Sequence, residues 1–304
     1  MNTFRTLLTL LLILLPGAHT RAADAEDIAR QLYPDEVTSL MVGDDSMPVL
    51  VSPPYTPLTR GTAVVFYESG ITAGNTGLTL DIASQLTGRL NGAGWQTVLV
   101  PSMLTPLTTA TDTTTLPADS PVHPRTDSMQ VAIDYVASRN TTMLQLAALN
   151  RFLRNADGYR MLIAQGMTAT LLLDSADNES STPPDTMVVL SPFWPERERN
   201  LTVPEMIART SFPVLDIALN DFNNWALATR FLRERAATTA LKLHYRQRPL
   251  SSLGSSVINA GTASLSGAGM RTDVTAQNAG FAGASPFAVR LAGRIYGWIT
   301  YLGW

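Results

Sequence analysis

The stretch Ala164-Gln165-Gly166-Met167-Thr168-Ala169 follows an apolar run of strand length, Tyr159 to Ala164, and opens an apolar helical segment. Small residues around a central position at a strand-to-helix turn are the pattern of a nucleophile elbow, which holds an attacking side chain on a sharp bend. Here the central position is Gly166, which has no side chain to attack anything. An elbow nucleophile is forced to positive φ, a strain of roughly 1–3 kcal/mol that glycine largely relieves. The turn is retained without its chemistry. The plain alternative is a turn glycine of some other α/β protein.

A nucleophile of this kind works with an acid and a base from later in the chain. Asp221, just past the apolar run Pro213 to Leu219, holds a plausible acid position. An Asp directly before a helix beginning near Phe222 is nevertheless an ordinary N-cap, and that reading is favoured. The apolar run Leu241 to Arg246 is predicted as the last strand, followed by Gln247-Arg248-Pro249-Leu250-Ser251-Ser252. Ser251 therefore stands where an imidazole belongs, and the base is missing. Past residue 23 only His123, in a Thr/Pro-rich loop, and His244, inside the predicted strand, remain. Both suit structural roles better than catalysis. Glu68, Ser69 and Gly70 begin a glycine- and hydroxyl-rich segment running to Gly77, the place for an oxyanion-hole loop, where backbone amides could face a ligand. Glu68, Ser69, Gly70, Gln165, Met167 and Ser191 are the expected crevice-lining residues, and no catalytic residue is assigned. No ligand cluster for a metal appears, and no cofactor is expected.

These positions need elements to hold them. Two short apolar stretches, 36–42 and 48–52, flank Gly43-Asp44-Asp45 and read as a β-hairpin. Strand-like runs then alternate with helical segments: 62–67, a helix near 79–93, 96–101, a helix within 128–155, and 159–164. The series goes on with helix 167–176, strand 186–191, a short helix 203–210, strand 213–219, helix 222–238, strand 241–246 and helix 286–302. Alternation on this scale means crossover connections and a mainly parallel sheet covered on both faces. With the antiparallel opening, the expected fold class is α/β and α/β-hydrolase-like. One domain is expected over residues 24–304, with long loops at 103–127 and 251–286 that are either flexible or functional covers.

Arg5, the apolar run Leu7 to Leu15, Pro16-Gly17 and the small residues Ala22 and Ala23 have the layout of a secretory signal over residues 1–23. The run is about half the length of a membrane-spanning helix, so no transmembrane span is expected after cleavage, and the expected location is the periplasm. Without Arg5 and Arg21, 25 acidic side chains face 20 basic ones, which argues against nucleic acid as a partner. There is no cysteine, hence no disulfide framework or thiol nucleophile, and Lys242 is the sole lysine, which excludes a Walker-type phosphate loop. Lys242 is read inside the last strand, on a solvated face.

Several stretches together resemble a known family: Leu32-Tyr33-Pro34, Thr62 to Gly77, Gly94-Trp95 to Pro101, and the elbow Ala164 to Thr168. Pro213-Val214-Leu215-Asp216, Tyr245-Arg246-Gln247 and Arg294 to Trp298 complete the set. The family is the domain of unknown function 3530 family, exported proteobacterial α/β-hydrolase-like proteins. The resemblance implies the hydrolase fold, a glycine commonly at the nucleophile position, and no established biochemical role. The chain departs from it at Ala164, where a glycine is usual, and in the loop Ser251 to Pro286.

The leading expectation is a non-catalytic hydrolase-like protein, a pseudoenzyme, that binds a small molecule, a glycan or an envelope protein at the degenerate crevice. One alternative is an esterase-like hydrolase with a non-standard site, Ser191 or Ser69 with Asp221 and His123. Another is a structural envelope protein with a closed, dry crevice.

Overall fold

The structure is a computed structural model and describes residues 37–68, 77–107, 132–175, 182–220, 222–251 and 285–304. The signal reading at 1–23, His123, Ser69, Gly70, Asp221 and most of both long loops lie outside these residues. The elements in chain order are β1 (Val37–Val42), β2 (Asp45–Ser52), β3 (Gly61–Tyr67), α1 (Leu80–Gly92), β4 (Trp95–Pro101), α2 (Tyr135–Phe152) and β5 (Tyr159–Gln165). They continue with α3 (Gly166–Ser175), β6 (Thr186–Leu190), α4 (Arg197–Arg209), β7 (Val214–Leu219), α5 (Asn224–Thr239), β8 (Tyr245–Leu250) and α6 (Pro286–Tyr301).

All eight strands form one sheet in the order β1-β2-β4-β3-β5-β6-β7-β8. β2 runs antiparallel to both β1 and β4, and every pairing from β4 onward is parallel. This is the α/β-hydrolase order, so the fold class is as expected. Because side chains alternate across a strand, Ala63, Val65 and Tyr67 enter a core with α1 and α6 on one face. Val64 and Phe66 enter the other, against α2, α3 and α4. Strands buried on both sides show continuous apolar runs, which is why β3, β5, β6 and β7 were legible.

Three boundaries differ from expectation. The last strand is Tyr245–Leu250 and not 241–246. Its register pairs Val214 with Tyr245 and Asp216 with Gln247. The alternation of Leu241 and Leu243 imitates a strand, but both are exposed and belong to the turn that ends α5. Lys242 and His244 are therefore turn residues outside the strand, and Nζ of Lys242 donates to the carbonyls of Thr210 and Phe212.

The helix expected at 203–210 begins six residues earlier, at Arg197, with Pro204 inside it. Proline removes one helical N–H there. Asn200, buried at the start of α4, ties the helix down: its Oδ1 accepts from Trp194 N at 3.1 Å and its Nδ2 donates to the Trp225 carbonyl at 2.9 Å. The helix after β7 starts at Asn224 and is capped by Asn223, whose Oδ1 accepts from Trp225 N at 2.7 Å. The N-cap role expected of Asp221 thus belongs to Asn223.

Candidate functional site

The six parallel strands deliver their C-terminal ends to one edge of the sheet, where loops meet and open α/β sheets place their ligands. β5 ends there at Gln165 and α3 begins at Gly166 with no intervening loop. Gly166 has φ +54, inside the left-handed region. The elbow read from the sequence is therefore present, with glycine at its apex.

Space, as well as chemistry, is missing at this apex. A Cβ built on Gly166 would lie 3.1 Å from Cε1 of Phe193 and 3.7 Å from Cε1 of Phe222. The two rings meet edge-on at 6.0 Å between centroids, and Phe193 crowds the place a Cβ would take. Phe193 is stitched to the elbow, since its amide donates to the Gly166 carbonyl at 3.4 Å while Thr170 Oγ1 bridges the carbonyls of Gly166 and Phe193. Trp194, next along, sets its ring edge-on against Tyr135 at 4.7 Å, and Met167, Leu171, Trp225 and Ala226 complete a buried cluster. Sequence reasoning missed Phe193, Phe222 and Asn200. The only local signal was the aromatic pair Phe193-Trp194 directly after a strand end.

The expected lining residues and degenerate catalytic positions that fall among the described residues divide into three groups. Gly166, Gln165, Met167 and Ser191 come together at the strand ends and are buried. Glu68 stands at the end of β3, half-buried, and its amide donates to the Leu78 carbonyl at 2.8 Å. Ser251 is the first residue past β8, and its carbonyl accepts from Arg290 at 3.2 Å.

The hydroxyls here have structural duties. Ser191 Oγ accepts from the Leu219 amide at 2.8 Å, locking the end of β6 to β7, and Ser191 itself adopts φ 45. Thr168 shares a short hydrogen bond with Ser102. Gln165 closes the opposite side, with Oε1 accepting from Leu78 N at 2.9 Å. Gly77 has φ +110, which favours glycine, and a Cβ there would fall 2.1 Å from the Gln165 Nε2 and displace that amide. Burial pushes the Tyr67 phenol, at the end of β3, up to about 12. It stays protonated at neutral pH and cannot act as a base.

Among the described residues the arrangement brings no hydroxyl and imidazole together. Among the described residues the sole imidazole is His244, which precedes β8 at the far end of the sheet and packs on Tyr301. Among the described residues no three His, Asp or Glu side chains gather as metal ligands, and no helix is long and apolar enough to cross a membrane.

In fold comparison the chain is similar to the esterase domain of a Rhodothermus marinus protein, at 10% identity and a TM-score of 0.47, covering 74% of this chain and 96% of that one. It is likewise similar to an α/β serine hydrolase homologue from Coxiella burnetii, at 11% identity and a TM-score of 0.46, with 74% and 93% covered. A lidless α/β serine hydrolase from Xanthomonas campestris matches at 11% identity and a TM-score of 0.47, with 89% and 96% covered. No curated protein matches it in sequence. The model of one family, described as protein of unknown function DUF3530, matches residues 12–260. With most of its 304 residues inside that match, the chain belongs to the DUF3530 family.

Proposed function

We propose that this protein is a non-catalytic α/β-hydrolase-fold protein that acts by binding after export to the periplasm. One observation carries the reading: the nucleophile position is a glycine at φ +54, and Phe193 crowds the place its Cβ would take. No histidine follows β8 in the sequence, so the position where a hydrolase's base belongs lacks one as well. Loss of nucleophile and base together leaves only binding and backbone amides to act on a substrate. A filled apex favours a partner that engages the rim of the cleft, an envelope protein or a glycan, over a small molecule lodged at the elbow.

The test is turnover of nitrophenyl esters by purified protein, with a fluorophosphonate as covalent probe. No hydrolysis above buffer and an unchanged protein mass are expected. Turnover abolished by the fluorophosphonate, with one adduct per chain, would overturn the reading. Export is tested by the mature mass in fractionated cells, where an N-terminus at Ala23 or Asp24 is expected.

A structural envelope role is the second reading, favoured by the same packed cluster of Met167, Phe193, Trp194 and Trp225. Native mass spectrometry of protein incubated with periplasmic glycans separates the two. A stable adduct supports binding, and an unliganded mass throughout supports the structural role.

A further inference from the structure

At the end of the sheet opposite the cleft, the turn between α5 and β8 carries residues that folding does not account for. α5 closes with the hydrogen bonds of a helix-terminating turn: the Leu241 amide donates to the Thr238 carbonyl at 3.0 Å and the Lys242 amide to that of Ala237 at 2.9 Å. Such a stop puts the residue after the cap in the left-handed region, where glycine is the usual occupant. This chain places a leucine there, at φ 52 and 87% exposed. Leu243, two residues on, is 80% exposed. Neither side chain gains burial, and Leu241 bears backbone strain besides. Single apolar residues scattered on a surface need no explanation. Two on one turn, one of them strained, call for one.

Their surroundings name the partner. From Leu241 to Arg248 the chain contains no acid; the Lys242 ammonium is engaged by the carbonyls of Thr210 and Phe212, and Arg246 and Arg248 supply the positive charge, in a protein where 25 acidic side chains outnumber 22 basic ones. The Arg246 guanidinium lies 3.6 Å over the ring of Tyr301, and the His244 ring stands 6.0 Å from it. Tyr301, near the end of α6, is itself 41% exposed. An apolar tip bordered by a tyrosine and cations has the composition of an interfacial anchor. Leucines enter the acyl boundary, the aromatic ring sits at headgroup level, and cations meet anionic lipid phosphates. A second copy meeting the same turn across a two-fold axis would bring like charges together, which disfavours self-pairing.

The geometry points to the turn of residues 241–244, with Arg246 and Arg248 of β8 and Tyr301, as a docking site for an anionic lipid bilayer surface. The chain has no cysteine, so Leu243→Cys carrying a nitrobenzoxadiazole dye on the full chain reports this turn alone. Val136→Cys, exposed at the cleft end of α2, serves as the control. On vesicles of phosphatidylglycerol with phosphatidylcholine, the turn dye is expected to shift to the blue and gain about threefold in emission. The control dye, and both dyes on pure phosphatidylcholine, are expected to stay unchanged.

Leu241→Gly in the dye-labelled protein removes the side chain together with the strain, so the fold keeps its stability, and the gain is expected to fall about twofold or more. The proposal is overturned by no gain at the turn, by equal gain at both sites, by equal gain on neutral vesicles, or by a gain indifferent to Leu241→Gly. A gain that grows with protein concentration in the absence of lipid would also overturn it, assigning the turn to a second copy.

Discussion

Gly166 is where sequence and geometry meet most directly, because a left-handed apex is a local property and glycine answers it locally. Gly166→Ser restores the name of a nucleophile but not its function. Its Cβ would carry strain at φ +54 and press within 3.1 Å of Phe193, whose ring is held in a buried cluster. The variant is expected to lose about 1–3 kcal/mol in urea denaturation and to hydrolyse no ester, since among the described residues no imidazole faces it. Detectable turnover by this variant would mean that a base reaches the elbow after all. Tyr67 supplies a second residue-level expectation. Burial raises its phenol from 10.0 to about 12, so it favours the folded state fully below pH 10 and progressively less as pH climbs through 12. Stability followed by chemical denaturation across that window is expected to decline, and Tyr67→Phe to flatten the decline. Of the residues at the apex, Gly166, Gln165 and Met167 were legible because they are contiguous. Phe193 and Phe222 were not, since each reaches Gly166 from another strand end.

Among elements, β7, α5 and β8 are joined by a buried charge. Asp216, in mid-strand, and Arg233, on α5, are 0% and 1% exposed and pair at 2.8 Å. Tyr245 and Gln247 of β8 each donate to the same carboxylate at 2.9 Å. Burial first, and then the Asp216 charge, pushes the Tyr245 phenol upward, so the hydroxyl stays a donor. Arg233→Met alone strands a carboxylate in the core and is expected to cost about 3–5 kcal/mol. Arg233→Met combined with Asp216→Val is expected to cost less than the single change, because removing both charges removes the desolvation penalty as well. Equal losses in denaturation midpoints would show that packing, and not charge, holds this corner. The strand itself was legible from Val214-Leu215-Asp216-Ile217, and a lone Asp in so apolar a run already demanded a partner. Which of the many arginines answers it depends on how α5 lies across the sheet. The opposite error occurred at β8, where Leu241 and Leu243 alternate like a buried strand face although both point to solvent.

For the molecule as a whole, one sheet is shared by two cores. Trp95 and Trp298 report on the face with α1 and α6, whereas Trp194 and Trp225 report on the packing beside the cleft. Because the same central strands wall both cores, tryptophan fluorescence and far-ultraviolet circular dichroism are expected to lose structure in a single coincident thermal transition. Separated midpoints would divide residues 24–304 into units that unfold apart. By itself the sequence determined the alternation of strand and helix, the double burial of the central strands, the glycine elbow, and the absence of any histidine past residue 244. All of these are set by local periodicity, by conformational preference at single positions, or by composition. Only the tertiary structure decided that the elbow is plugged by Phe193, that Ser191 is tied to β7, that Asp216 is neutralised by Arg233, and that Leu241 and Leu243 stand in solvent. Each depends on which distant segments meet, and that is settled by packing across the sheet, where neighbours in space are far apart along the chain.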